Sequence, residues 1–172
     1  MKIIKTKFKD LLMFESKNFY DSRGYFREVL IEKIVRKKFK FAVVSKSKKN
    51  VIRGLHMQKK FQQGKYISVL KGKILDVVVD CRKKSNTFGR HFKTIISQKN
   101  SKSIYVPPGF IHGFLGLENE NIVYYSCTEY RDKNSEIGVM WNDKDLNINW
   151  NIKKPILSAK DKNNYKFKNV KF

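Results

Sequence analysis

Hydrophobic and polar residues alternate along much of the chain, in short segments separated by turn residues. The clearest case is the segment 74–81, where one face carries only apolar residues and the other carries Asp76 and Asp80. A two-residue period is the side-chain period of a β-strand. Similar segments rich in Val, Ile, Tyr and Phe lie at 25–30, 39–45, 51–57, 65–70, 91–97, 103–106 and 122–130. The pattern predicts an all-β sandwich or barrel of antiparallel strands.

Signals for helices are scarce. Ile31, Ile34 and Val35 share one face if 31–38 is helical, so we predict one minor peripheral helix there. The chain shows no internal repeat or linker, and 172 residues are enough to bury a core without disulfides or metals. We therefore predict a single domain over 1–172, with a polar, basic tail after about residue 162 that packs loosely.

The excess of positive charge is the most unusual feature of the composition. There are 38 Lys and Arg against 15 Asp and Glu, a formal net charge of +23. Such an excess is typical of proteins that bind polyanions. The lysines are nevertheless spread over the whole chain, and no helix-turn-helix, zinc-finger or RNP motif accompanies them. We expect no nucleic-acid partner, because a cleft that attracts a diphosphate needs only a few of these charges.

Targeting and redox signals are weak. No apolar run approaches the roughly 20 residues of a membrane span, and the N-terminal lysines are not followed by an apolar signal segment. We expect a soluble, cytoplasmic protein without membrane contact. Cys81 and Cys127 form no CxxC pair, so we predict two buried free thiols.

Two histidines, His56 and His112, lie in apolar contexts that bear on chemistry. A histidine at the end of an apolar strand is more often a core residue than a catalyst. No HxH pair indicates a metal site, and the motifs of acyl transfer, nucleotide hydrolysis and dinucleotide redox chemistry are absent. Proton transfer by His, Tyr, Lys and carboxylates needs no cofactor. We therefore expect neither a metal nor a cofactor.

A series of local motifs follows in a fixed order from the N-terminus. They are DSRGYFRE at 21–28, SKSKKN at 45–50, RGLHMQ at 53–58, QGK at 63–65, DVVVDCR at 76–82, PGFIHGF at 108–114, Tyr125, WND at 141–143, INW at 148–150 and LSAKD at 157–161. With them the chain resembles the dTDP-4-dehydrorhamnose 3,5-epimerase family over about residues 3–161. The resemblance implies a cupin-like jelly roll of two antiparallel sheets, and a homodimer with an exchanged N-terminal strand.

The resemblance also implies an activity. The expected enzyme is a cofactor-independent isomerase that inverts C3 and C5 of a nucleotide-activated 4-keto sugar through an enolate, in the synthesis of surface-polysaccharide sugars. His56 resembles the general base and Asp161 the carboxylate that orients it. Tyr125 resembles the acid on the opposite face of the sugar, and Lys65 the cation near the C4 oxygen. Residues that resemble substrate-binding positions are Arg23, Tyr25, Glu28, Arg53, His112, Tyr130, Glu136 and Lys160.

The residues alone leave other interpretations open. Asp161 could cap a terminal turn, Lys65 could be one of many solvated lysines, and Tyr125 could be a core aromatic. Three other functions are a non-catalytic barrel that binds a sugar nucleotide or polyanion, a C3-only epimerase, and an enzyme with another nucleotide sugar as substrate. Retention of His56, Tyr125 and Lys65 argues against the first, and retention of Tyr125 favours action at C5 as well as C3.

One departure from the family pattern concerns the nucleotide. Where the family carries Gln-x-Asn, this chain has Phe41, Ala42 and Val43. Two amides are replaced by apolar groups, and sites that hydrogen-bond a ligand discriminate strongly between ligands. The departure raises the hypothesis that a GDP-4-keto-heptose is a comparable or better substrate than the dTDP sugar.

Overall fold

The computed structural model describes residues 1–172 and is built almost entirely of β-strands. Its two helices have one turn each, α1 (Glu32–Val35) and α2 (Ala159–Lys162), and no helix is both long and apolar enough to span a membrane. The strands are β1 (Lys2–Lys5), β2 (Leu12–Glu15), β3 (Phe19–Asp21), β4 (Gly24–Phe26), β5 (Phe41–Ser47), β6 (Ile52–Gln58), β7 (Lys65–Lys71), β8 (Lys73–Asp80), β9 (His91–Ser97), β10 (Lys102–Val106), β11 (Phe110–Gly116), β12 (Asn121–Cys127) and β13 (Glu136–Gly138).

The pairing of the strands defines two antiparallel sheets. One sheet has the order β1-β2-β10-β7-β12-β5 and the other the order β13-β6-β11-β8-β9. The hairpin β3–β4 pairs only with itself. The two large sheets confirm the predicted all-β fold of two antiparallel sheets with a minor helix. In this single chain β1 pairs with its own β2.

Two apolar clusters explain why β8 is buried on both faces. Ile74 and Val78 face a cluster between the sheets that also contains Ile67 and Ile104 of the six-stranded sheet. Leu75, Val77 and Val79 of β8 belong instead to a second cluster on the outer face of the five-stranded sheet, which the C-terminal third of the chain covers through Leu146 and Trp150. Cys81 and Cys127 are buried and unpaired, which confirms the prediction of free thiols.

The C-terminal tail differs from its prediction. Residues after 162 pack on the domain: the Tyr165 N–H donates to the Gly138 carbonyl and the Phe167 N–H to Asp143 Oδ2 at 2.8 Å. The rings of Phe167 and Phe172 lie 5.1 Å apart, and Phe167 also contacts Phe88. The tail packs in spite of its many basic residues, because its aromatic residues Phe167 and Phe172 cover the second apolar cluster.

Asp80 fixes the end of β8, next to the turn that leads into β11. Its side chain is fully buried and accepts hydrogen bonds from the guanidinium of Arg82 and the hydroxyls of Ser85 and Thr87. Burial alone would raise the pKa of Asp80, but these donors outweigh it and lower the pKa to about 2. The same segment holds the turn, since the Cys81 N–H donates to the Gly109 carbonyl.

We expect Asp80→Asn to lower the free energy of unfolding by about 2–4 kcal/mol at neutral pH, because buried donors lose a charged acceptor. A carboxylate with a lowered folded-state pKa stabilises the protein above its ordinary value of 3.8, and that contribution is lost as the pH falls towards about 2. Urea unfolding at pH 6, 4 and 3 measures this contribution to the free energy of unfolding. The difference in that free energy between wild type and variant should narrow below pH 4. The control is Asp145→Asn, whose side chain is exposed. Equal losses of stability from the two substitutions would contradict a stabilising role of the buried Asp80 carboxylate.

Candidate functional site

A cavity of about 640 Å³ lies between the open ends of the two sheets. Its walls come from both sheets, namely β5, β7 and β12 on one side and β6 and β11 on the other, and the segment 156–161 closes part of it. A cavity of this size matches the volume of sites that take a small organic ligand. Eight of the twelve residues predicted for the site line it: His56, Lys65, Tyr125, Asp161, Arg53, His112, Glu136 and Lys160.

His56 and Asp161 form a hydrogen-bonded pair inside this cavity. The imidazole Nε2 lies 2.5 Å from Asp161 Oδ1, although the residues are 105 positions apart. Ser158 caps α2 by accepting from the Asp161 N–H, so the carboxylate is free to face β6 rather than to cap the helix itself. Asp161 is only 5% exposed. Burial raises the pKa of Asp161, but the hydrogen bond and the charge of His56, with Ser158 and the Gly54 backbone, outweigh it and leave the pKa lowered.

A second histidine–carboxylate pair stands on the neighbouring strand. His112 on β11 pairs in register with His56 on β6, and its Nε2 lies 2.7 Å from Oδ2 of the fully buried Asp76. The strands approach closely because glycines face each other: a Cβ on Gly54 would lie 2.5 Å from the Gly113 Cα. The close approach places two oriented imidazoles side by side on one wall.

Tyr125 and Lys65 lie on the facing sheet. Burial raises the pKa of the Tyr125 hydroxyl and lowers the pKa of the Lys65 ammonium. The cause is the same for both, because a low-dielectric site disfavours the charged form of each group. Nearby arginines lower the tyrosine pKa only in part, and Glu136 opposes only part of the shift of the lysine. Tyr125 is therefore protonated at neutral pH and has a proton to give.

Positive charge surrounds the mouth of the cavity. Glu136 is held between two cations, with Oε1 2.6 Å from Arg131 Nε and Oε2 2.6 Å from Lys160 Nζ. The hydrogen bond from Arg131 is the main reason that the pKa of Glu136 falls to about 2. Arg53 donates to the Ser47 hydroxyl at 2.8 Å. Four cationic side chains thus stand against two carboxylates in the cavity wall, which suits a diphosphate.

Four of the predicted residues do not line the cavity of the single chain. Tyr130 lies at its rim, where its ring is nearly parallel to that of Phe41, at 17° and 6.0 Å between centroids. Arg23, Tyr25 and Glu28 lie on and after the hairpin β3–β4. The Arg23 side chain is 87% exposed and pairs with Asp21.

Two charged residues of the site, Arg131 and Asp76, were not among the predicted site residues. Arg131 lines the cavity and binds Glu136, but nothing in its local sequence separates it from the other basic residues. Asp76 supports His112, and here a signal existed, because a carboxylate inside an otherwise apolar strand must find a partner when it is buried. Phe41 and Val43 line the cavity as the family pattern implied, whereas Ala42 between them does not.

Comparison with known proteins gives a consistent family. The family model described as dTDP-4-dehydrorhamnose 3,5-epimerase matches residues 5–169. A dTDP-4-dehydrorhamnose 3,5-epimerase from Shigella flexneri is 41% identical over 174 residues, covering 97% of this chain and 96% of the relative.

Solved structures show the same relationship. A dTDP-4-dehydrorhamnose 3,5-epimerase from Elizabethkingia anophelis superposes with a TM-score of 0.91 at 40% identity, covering 100% of this chain and 99% of that one. A dTDP-6-deoxy-D-glucose-3,5-epimerase from Legionella pneumophila, in complex with dTDP-4-keto-L-rhamnose, superposes with a TM-score of 0.94 at 35% identity, covering 99% and 94%.

Proposed function

The chain belongs to the dTDP-4-dehydrorhamnose 3,5-epimerase family, and from that premise we propose that it inverts C3 and C5 of a dTDP-linked 4-keto-6-deoxyhexose without a cofactor. The observation that carries the proposal is the His56–Asp161 pair on one sheet, with Tyr125 and Lys65 on the facing sheet of the same cavity. The product would serve the synthesis of rhamnose-type sugars, in the cytoplasm.

The chemistry follows from the positions of these groups. His56 takes the proton on the carbon beside the C4 ketone, and the electrons of that C–H bond move into the enolate, with charge on the C4 oxygen. Lys65 stabilises this oxygen by its charge and by a donated hydrogen bond. Tyr125 gives a proton to the opposite face of the same carbon, which inverts it. Asp161 stabilises the imidazolium that His56 becomes.

The nucleotide part of the substrate has a chemical match in the cationic residues. Arg53, Arg131 and Lys160 present donors to the cavity mouth, and guanidinium groups match the oxygens of a diphosphate in geometry as well as charge. We therefore place the diphosphate between the sugar-binding floor of the cavity and its rim.

The function is tested by turnover of three compounds, dTDP-4-keto-6-deoxyglucose, GDP-4-keto-6-deoxymannose and a GDP-4-keto-heptose. The relatives named above carry dTDP sugars in their names, so we expect the dTDP sugar to have at least a hundredfold higher kcat/KM. The hypothesis of a GDP-4-keto-heptose rests on Phe41 and Val43, and a hundredfold preference for that sugar would support it instead. Product analysis at C3 and C5 separates the 3,5-epimerase from a C3-only enzyme, and absence of turnover with retained binding would indicate a non-catalytic protein.

A homodimer explains the position of the hairpin. Phe19, Tyr20 and Phe26 are each more than half exposed on β3 and β4, and a two-stranded hairpin has little stability without a covering surface. The resemblance to the family assigns Arg23, Tyr25 and Glu28 to the substrate site, which they do not reach in their own chain. We propose that the hairpin of one subunit supplies these residues to the cavity of its partner. Exchange of β1 between the subunits stays a prediction.

Mixing two inactive variants tests this arrangement. If Arg23 serves the partner's cavity, a mixed dimer of Arg23→Ala and His56→Ala chains contains one site with both residues intact. We expect co-refolded or co-expressed mixtures to regain roughly a quarter of wild-type activity, since about half of the dimers are mixed and each has one good site. No recovery, with dimers formed, would place Arg23 in the site of its own chain.

A further inference from the structure

Strand β5 places a serine hydroxyl beside the apolar core between the sheets. Phe41 and Val43 of this strand face the cavity, and Ser45 follows on the same side because side chains alternate along a strand. Ser45 pairs in register with Val123 of β12, whose fully buried side chain belongs to the cluster between the sheets. A hydroxyl in such a position needs a partner in the protein, because burial removes its hydrogen bonds to water.

The hydroxyl oxygen of Ser45 is buried, yet no group completes a well-aligned hydrogen bond with it. The next inward-facing serine of β5 differs, since the Ser47 hydroxyl accepts from Arg53 Nε at 2.8 Å. A buried polar atom without a partner lowers the stability of the folded state, so its retention calls for a reason outside stability. The Ser45 hydroxyl is thus free to bond a group whose charge changes during the reaction.

The group beside Ser45 is the hydroxyl of Tyr125. Tyr125 pairs in register with Val43, which makes it the diagonal neighbour of Ser45 on the inner face of the sheet. Burial raises the pKa of Tyr125, and Ser45 lies close enough to lower it in part by hydrogen bonding to the phenolic oxygen. Hydroxyl hydrogens rotate, so a bond that is incomplete while Tyr125 is neutral can form once its oxygen is charged. Ser45 does not line the cavity, so it acts on the substrate only through Tyr125.

We propose that Ser45 is a positioning residue for the proton donor: its hydroxyl donates to the Tyr125 oxygen and stabilises the phenolate left when Tyr125 has given its proton to the sugar. The proposal rests on the proposed function and deepens it. In this step the Tyr125 O–H bond breaks, the enolate supplies the electron pair of the new C–H bond, and the negative charge moves to the phenolic oxygen. A hydrogen bond to a charged oxygen is stronger than one to a neutral oxygen, so Ser45 stabilises the charged state more than the resting state.

The same hydrogen bond affects the direction of the Tyr125 proton. Donation by Ser45 occupies one acceptor position of the phenolic oxygen, and the Tyr125 O–H is then free to point into the cavity. Arg53 and Arg131 also lower the pKa of Tyr125, but they act by charge alone. Among the groups that lower this pKa, Ser45 is the one that acts through a hydrogen bond and therefore has a direction.

The variant Ser45→Ala distinguishes this role from a structural one by the sign of its effect on stability. Because it removes a buried hydroxyl that lacks a partner, its free energy of unfolding in urea should equal or exceed that of the wild type. Inversion at C5 should nevertheless slow by about 5- to 50-fold in kcat, with KM within twofold. Deuterium entry from the side of His56 should persist, since the base is unchanged.

Two further variants serve as controls. Ser45→Thr keeps the hydroxyl and should recover most of the lost rate. Ser68→Ala removes another buried serine, one that pairs with Tyr124 on the opposite face of the same sheet, and should epimerise at close to the wild-type rate.

A double-mutant cycle with Tyr125→Phe shows whether Ser45 acts through the tyrosine. In the Tyr125→Phe chain the phenolic oxygen is gone, so adding Ser45→Ala should change the residual inversion by less than twofold. An equal loss in both backgrounds, or a loss of activity that follows a loss of stability, would overturn the proposal. Turnover that Ser45→Ala leaves unchanged would reject the role of Ser45 alone, whereas absence of turnover by the wild type would reject the proposed function and this role with it.

Discussion

The variant His56→Ala is expected to lose about 10³- to 10⁴-fold in kcat/KM while it keeps its fold. General-base catalysis contributes on this order. Of the two imidazoles on this wall, the proposal assigns the removal of the proton to His56. The His56 side chain is 31% exposed and belongs to neither apolar cluster, so its removal should cost the core little. Turnover of dTDP-4-keto-6-deoxyglucose and urea unfolding of the purified variant measure the two effects separately.

A graded control for this result is Asp161→Asn. An asparagine keeps the shape of the side chain but removes the charge that supports the imidazolium. Activity should therefore fall less than in His56→Ala, and the residual activity should be measurable. Asp161 is buried, and its unfolding curve is therefore needed beside its kinetics. If His56→Ala retained more than a few per cent of wild-type hydrogen exchange, another residue would be the base.

Tyr125→Phe is expected to separate two events that occur together in the wild type. The substitution removes only the hydroxyl proposed to give a proton to the opposite face of the sugar. His56 still takes a proton, exchanges it with solvent and returns it to the same face, so deuterium should enter the substrate while inversion at C5 falls by at least about 10²-fold. Proton NMR of the sugar in heavy water follows both processes in one sample.

The matched control is Tyr124→Phe, one residue earlier on β12. The Tyr124 hydroxyl lies 2.7 Å from the Ser126 hydroxyl, and neither residue lines the cavity. That variant should epimerise at close to the wild-type rate. An equal loss of deuterium entry and of inversion in Tyr125→Phe, with TDP binding intact, would show that Tyr125 does not have the separate role given to it.

Strands with a clear two-residue period were the part of the fold that the sequence could predict. The predicted segment 91–97 coincides with β9, and 74–81 differs from β8 by one residue at each end. Strand β11 was missed because Gly113 and Gly116 interrupt its pattern; both face backbone atoms of neighbouring segments that leave no room for a side chain. The predicted helix 31–38 is shorter, since Arg36 takes a left-handed conformation at φ 58° that ends α1 after Val35.

The site was predictable in its residue types but not in its assembly. Motifs pointed to His56 and Asp161, yet their contact depends on the C-terminal segment returning to β6 across 105 residues. Arg131 could not be identified, because its role comes from the Glu136 carboxylate that the fold brings to it. Arg23 illustrates the opposite limit: a local motif marks it, but its own chain leaves it in solvent. Its place in a substrate site depends on the proposed dimer.

Deuterium entry into dTDP-4-keto-6-deoxyglucose, mixed with the wild-type protein in heavy water containing EDTA, tests the central claim most directly. Proton transfer by His56 and Tyr125 through an enolate predicts that the hydrogens at C3 and at C5 are both replaced by deuterium, with inversion of both carbons and no effect of EDTA. Epimerisation with full retention of the original hydrogens, or binding of the sugar nucleotide without any exchange, would contradict it.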